Sequence, residues 1–109
     1  HLSKKTFKFI NKDKLDNMKD KSILINTSRG EIIDENYLTK VIKNKKLKFF
    51  ATDVVSNENN LPIKKSKIFN VSQFENVYIT PHMAGLTYES ENIASQITID
   101  NVNKYFKLK

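Results

Sequence analysis

Four side chains in this 109-residue sequence could hold a small anion and move a proton: Arg29, Asp53, Glu58 and His82. Arg29 is the sole arginine among 19 basic residues, the others being lysines. A guanidinium is a rigid fork that grips a carboxylate through two parallel hydrogen bonds and keeps its charge when partly buried. His82 is the only histidine besides the terminal His1. Imidazole is the side chain best suited to giving and taking a proton near neutral pH. Asp53 interrupts an apolar run, where a carboxylate is costly unless something donates hydrogen bonds to it. It is either satisfied by nearby backbone amides or aimed at the amide of a bound ligand. Glu58 follows five residues later in a polar stretch. Taken singly, each residue also has a plain reading: a surface arginine, a structural histidine, a solvated glutamate.

The surrounding elements are expected to put these groups on one side of a sheet. Ile23, Leu24 and Ile25, within Ser22 to Asn26, form the short apolar run of a strand buried on both faces. Asn26, Thr27 and Ser28 end it, and Gly30 suits a sharp turn because glycine takes positive φ without steric cost. Asp34 can cap a helix running to about Asn44, with Leu38, Val41 and Ile42 on its inner face and Lys43 to Lys46 at its negative end. Arg29 then stands at the carboxyl end of a strand, where open α/β sheets bind ligands. Leu47 to Val55 predicts a second buried strand, with Asp53 near its end. Ser56 to Lys67, with Pro62, reads as a loop that carries Glu58. Ser72 to Asn76 predicts a turn before a third strand, Val77 to Thr80. Pro81 fixes the path into His82, and Gly85 gives the backbone room beyond it. Upstream, His1 and Leu2 read as the tail of a strand, and Asn11 to Lys19 as a short helix capped by Asn11 with Leu15 and Met18 on one face. Downstream, one helix from about Tyr88 presents Ile93, Ala94, Ile97, Val102, Tyr105 and Phe106 over a wide angle, which predicts more than one neighbour and a partner region outside this stretch. Strands alternating with helices indicate a parallel sheet.

Composition narrows the function classes. With 39% hydrophobic and 28% charged residues the chain is globular rather than disordered. No apolar run approaches the ~20 residues of a membrane span and no signal pattern opens the chain, so a cytoplasmic setting is expected. The absence of cysteine removes disulfides, thiolate metal sites and cysteine nucleophiles. The formal charge of +7 suggests nucleic acid, but the lysines are scattered and base-reading arginines are absent. Specific nucleic-acid binding is therefore not expected, only weak attraction at low salt.

Three separated stretches complete the reading: Ile25-Asn26-Thr27-Ser28-Arg29-Gly30, then Thr52-Asp53-Val54 with Glu58, then Thr80-Pro81-His82-Met83-Ala84-Gly85. Their order and spacing resemble the nucleotide-binding domain of the D-isomer-specific 2-hydroxyacid dehydrogenases over nearly the whole chain. The resemblance implies a Rossmann-type α/β parallel sheet with flanking helices, and NAD as cofactor. It implies that Arg29 binds the carboxylate and carbonyl of a small 2-keto or 2-hydroxy acid, that His82 is the acid–base group and that Glu58 is its partner. It implies cofactor contacts from Thr27, Ser28, Arg29, Asp53, His82, Met83, Ala84 and Gly85, with no metal. The chemistry is coherent: charge grows on a carbonyl oxygen as hydride arrives, and an imidazolium beside a carboxylate can protonate it.

The departures are informative. Asn59 stands where such proteins commonly have proline, and Phe49 and Phe50 where they have small residues. With only Gly30 and Gly85 present, no Gly-x-Gly-x-x-Gly turn is possible, and the acidic residue that reads the ribose is missing with it. Residues 1–109 are therefore expected to be the second half of an NAD-binding domain, inactive alone, from a parent enzyme that pairs as a homodimer. The alternatives are a noncatalytic, corepressor-like NAD sensor of the same fold and a basic nucleic-acid module.

Overall fold

The computed structural model describes residues 1–60 and 62–107. Leu61, inside the expected loop, and Leu108 and Lys109, at the chain's end, lie outside the described residues. Three parallel strands, β1 (Ile23–Asn26), β2 (Phe49–Thr52) and β3 (Val77–Ile79), form a sheet in that order. Ile25 pairs with Ala51, and Ala51 with Tyr78, so the three carboxyl ends share one rim. Helix α1 (Lys12–Asp16) is capped by Asn11, whose Oδ1 accepts from the Lys14 amide at 3.2 Å. It ends earlier than expected, because the chain folds back at Asn17 and again at Lys21, whose φ is 61°. Helix α2 (Glu35–Lys43) is capped as expected by Asp34, which accepts from the Asn36 and Tyr37 amides. Its apolar face buries Leu38, Val41 and Ile42.

These helices cover one face of the sheet. Leu15, Leu38, Ile42, Phe50, Ile68, Val71 and Val77 meet there, Ile68 and Val71 being carried by a 3₁₀ turn (Ile68–Val71) within the stretch between β2 and β3. Phe50 is the largest fully buried side chain and contributes about 1.5–3 kcal/mol by burial. Strand alternation sends Phe49 to the opposite face, where it is only partly covered. That face corrects one expectation. Ile23 and Ile25 are 55% and 64% exposed, and Tyr78 is 61% exposed, so β1 is buried on one face only. It is an edge strand, and no described helix lies over its other side.

Two glycine expectations also change. Neither Gly30 nor Gly85 has positive φ. Gly30 is instead needed for close approach: a Cβ there would collide with the backbone of Val55 and Ser56. Around Gly85 there is open space. The amino-terminal residues are not a strand. Ser3 and Thr6 exchange hydrogen bonds in a turn, and Ile10 then forms a single parallel bridge with Ile33.

Helix α3 (Tyr88–Phe106) starts as expected, with Thr87 Oγ1 accepting from the Ser90 amide. None of its residues is buried. At 19 residues it spans about 28 Å, and it accounts for overall dimensions of 58 × 28 × 26 Å. Among the described residues, no helix is long and apolar enough to cross a membrane.

Candidate active site

The carboxyl rim of the sheet is built by three turns that bond to one another. At the end of β1, buried Asn26 organises the first. Its Oδ1 accepts from the Ser28 amide at 3.1 Å and its Nδ2 donates to the Arg29 carbonyl at 3.0 Å, an Asx turn that leaves Thr27 and Arg29 exposed. The Arg29 guanidinium donates to the Ser28 carbonyl at 2.6 Å, which uses one of its five N–H groups.

Asp53, just past β2, is 6% exposed. Its carboxylate accepts from the Thr80 hydroxyl at 2.5 Å and from the Met83 and Ala84 amides, both at 2.9 Å. Those bonds, the Thr80 hydroxyl foremost, hold the Asp53 carboxyl below the ordinary carboxylate range against the opposing effect of burial. Asp53 thus ties the end of β2 to the turn after β3. The Met83 and Ala84 amides, expected to face a cofactor, are engaged here by Asp53.

His82 sits at the top of that turn with φ 54°, the left-handed region, entered straight after Pro81. A non-glycine residue there costs on the order of 1–2 kcal/mol and persists only where the surroundings enforce it. The result aims its ring at Glu58: Nδ1 and Oε1 are 2.7 Å apart, with the two side chains 47% and 23% exposed. A carboxylate only accepts, so Nδ1 carries the hydrogen and Nε2 is left for other work. Asp53, Val55, Glu58, Asn59, Thr80, Pro81 and His82 line an open cleft of about 300 Å³. Arg29 stands on the same rim but is not among the residues lining that cleft.

The structure therefore joins Glu58 to His82 and joins Asp53 to the His82 turn, with Thr27, Ser28 and Arg29 at the neighbouring strand end and Gly85 beyond the turn. Several organising residues were not singled out from sequence. Thr80 anchors Asp53. Glu35 Oε1 accepts from the Ser56 amide at 2.7 Å, and Glu31 Oε1 from the Asn57 amide at 2.8 Å. Burial raises the Glu35 carboxyl above its ordinary value; the Ser56 amide works against this, and the Glu31 charge adds to it. The signal for the first turn was in the sequence as Asn followed two residues later by Ser, an Asx-turn pattern.

The D-isomer specific 2-hydroxyacid dehydrogenase NAD-binding domain model matches residues 1–84. Over 103 residues the chain is 38% identical to an (S)-sulfolactate dehydrogenase of Chromohalobacter salexigens, covering 94% of this chain and 32% of that protein. It is 30% identical to the D-lactate dehydrogenase of Escherichia coli, covering 97% and 35%. A crystal structure of Aquifex aeolicus D-lactate dehydrogenase complexed with NAD and lactic acid superposes with a TM-score of 0.74 at 29% identity, covering 97% of this chain and 35% of that one. An NAD-complexed D-isomer specific 2-hydroxyacid dehydrogenase of Lactobacillus delbrueckii gives 0.77 at 25% identity, covering 99% and 36%. The chain thus spans about a third of the length of these relatives. A parallel sheet with its turns at the carboxyl rim and this match over most of its length lead to one conclusion: the chain belongs to the NAD-binding domain family of the D-isomer specific 2-hydroxyacid dehydrogenases.

Proposed function

We propose that residues 1–109 are the second half of the NAD-binding domain of a dehydrogenase that interconverts a small 2-keto acid and its D-2-hydroxy acid. One observation carries this reading: in a chain of this family, His82 Nδ1 lies 2.7 Å from Glu58 at the mouth of a rim cleft. The residues present suit the nicotinamide end of NAD. Asp53, Thr80 and His82 border a cleft large enough for a small ring, and Thr27 and Ser28 follow the end of the neighbouring strand β1. No glycine turn for the pyrophosphate lies within these residues, so the remainder of the cofactor is held elsewhere in the parent protein.

NADH, when bound, supplies the hydride. Glu58 fixes the His82 ring by accepting from Nδ1–H. His82 then delivers a proton from Nε2 to the carbonyl oxygen as negative charge develops there, and takes it back from the hydroxyl in the reverse direction. The unengaged N–H groups of Arg29 pair with the substrate carboxylate. Because the guanidinium now bonds to Ser28, it swings toward the cleft when substrate enters. The parent acts as a cytoplasmic homodimer.

One observation favours a second reading, a noncatalytic NAD sensor of the same fold: Arg29 is turned onto the Ser28 carbonyl rather than into the cleft. The full-length protein distinguishes the two. Incubated with NADH and a panel of 2-keto acids, it should oxidise NADH with at least one of them, and Arg29→Ala should raise KM for that acid about 100-fold or more. Cofactor binding without turnover on any acid would favour the sensor. The 109-residue chain alone should show no turnover; ordinary activity from it would contradict the half-domain reading.

A further inference from the structure

The loop that carries Glu58 has little of its own to hold it. Asn57, Asn59 and Asn60 are exposed, Ser56 and Glu58 are half-buried and polar, and Asn57 sits at φ 59° in the left-handed region. Glu58 makes one long bond besides its contact with His82, accepting from the Val55 amide at 3.4 Å. The loop is instead gripped from the stretch that begins α2. Gly30 presses against the Val55–Ser56 backbone so closely that no Cβ could be accommodated. Glu35 takes the Ser56 amide at 2.7 Å and Glu31 takes the Asn57 amide at 2.8 Å. These are consecutive amides immediately before Glu58, and among the described ion pairs none involves Glu31 or Glu35. Both carboxylates thus accept from the loop backbone without a lysine at ion-pair distance among the described residues, in a chain rich in lysine.

We propose that Glu31 and Glu35 are positioning residues that set the backbone of Ser56 and Asn57, and through it the reach of Glu58 to His82. This rests on the dehydrogenase reading above. Rotation at Asn57 would carry Glu58 away from Nδ1, and His82 would then lose the partner that fixes its ring. The 3₁₀ turn Gly30–Ile32, the first turn of α2 and the acid–base pair form one mechanical unit, although Glu31 and Glu35 touch neither substrate nor cofactor.

The test uses the full-length protein, 15N-labelled at histidine, with the His82 ring signals assigned by their loss in His82→Asn. In the wild type the neutral ring should show the Nδ1–H form. Glu35→Ala should convert it to a mixture with the Nε2–H form and lower kcat about tenfold or more while KM for the keto acid and for NADH stays within about twofold. Glu35→Gln keeps an oxygen that accepts from Ser56 and should restore both readouts. Glu31→Ala, on the more exposed bond, should give the same changes to a smaller degree and serves if Glu35→Ala does not fold. A single Nδ1–H form together with unchanged kcat in the alanine variants would overturn the proposal. If the wild type reduces no 2-keto acid, the dehydrogenase reading fails, while the ring form of His82 in the variants still decides whether the two glutamates position Glu58.

Discussion

The sheet's carboxyl rim and helix α3 are held by opposite means. At the rim, polar groups are answered from within the chain: Asn26 by the Ser28 amide and Arg29 carbonyl, Asp53 by Thr80, Met83 and Ala84, the Ser56 and Asn57 amides by Glu35 and Glu31. Beneath them lies a one-sided core centred on Phe50 and Leu38. Helix α3 has a good cap and backbone bonds, yet no buried residue; Ile93, Ile97 and Phe106 are 60%, 55% and 64% exposed. Helices of this length gain most of their stability from packing, and among the described residues α3 has no such support whereas the rim does. The groups proposed for catalysis all belong to the self-supporting region.

Substitutions can break that contrast. The largest effect is expected from Phe50→Ala, which should cost about 3–5 kcal/mol in a urea or thermal melt of the 109-residue chain. A cost below about 1 kcal/mol would mean that the core is not packed as described. Asp53→Ala leaves two backbone amides and a hydroxyl without a partner and should cost about 1–3 kcal/mol, with faster hydrogen exchange at Met83 and Ala84. Slow exchange at those amides in the variant would remove Asp53 as the anchor of the His82 turn. Smallest is Ile97→Ser in α3, expected to change the stability of the chain alone by less than about 0.5 kcal/mol. A larger loss would show that some surface already covers the helix, and the contrast would dissolve.

Acid separates two rim carboxylates by sign. The folded value of Asp53 is lowered, so its contribution is complete above the ordinary value of about 4 and is lost as pH falls through the folded value. Glu35 is raised by burial, so its ionised form opposes folding above its folded value, and that opposition is relieved as pH falls toward about 4. Amide exchange followed from neutral pH downward should therefore show Ser56 protection persisting or rising first, and loss at Met83 and Ala84 only at lower pH. The reverse order would contradict the assignment of these two environments.

Much of this was legible in the residues themselves. Apolar runs placed all three strands within a few residues, Asn11 and Asp34 cap real helices, α3 begins at Tyr88, and Asp53 as a carboxylate met by backbone amides was one of the two outcomes its position allowed. The pairing of Glu58 with His82 was suggested by the family resemblance rather than by spacing, since 24 residues separate them. Three features were hidden for physical reasons. Exposure of Ile23 and Ile25 depends on what lies over the sheet, which an apolar run does not specify. The need for Gly30 arises from the distant backbone of Val55 and Ser56 and not from its own φ. Glu31 and Glu35 look like ordinary first-turn acids until the loop they hold is folded beside them.

Central to the proposed chemistry is His82 acting as the acid–base group that Glu58 holds in place. The most direct measurement is kcat for 2-keto acid reduction by the full-length protein and its His82→Ala variant, with NADH affinity measured separately. A fall in kcat of about 100- to 10,000-fold, far larger than any change in NADH affinity, is predicted. Turnover equal to the wild type would contradict it.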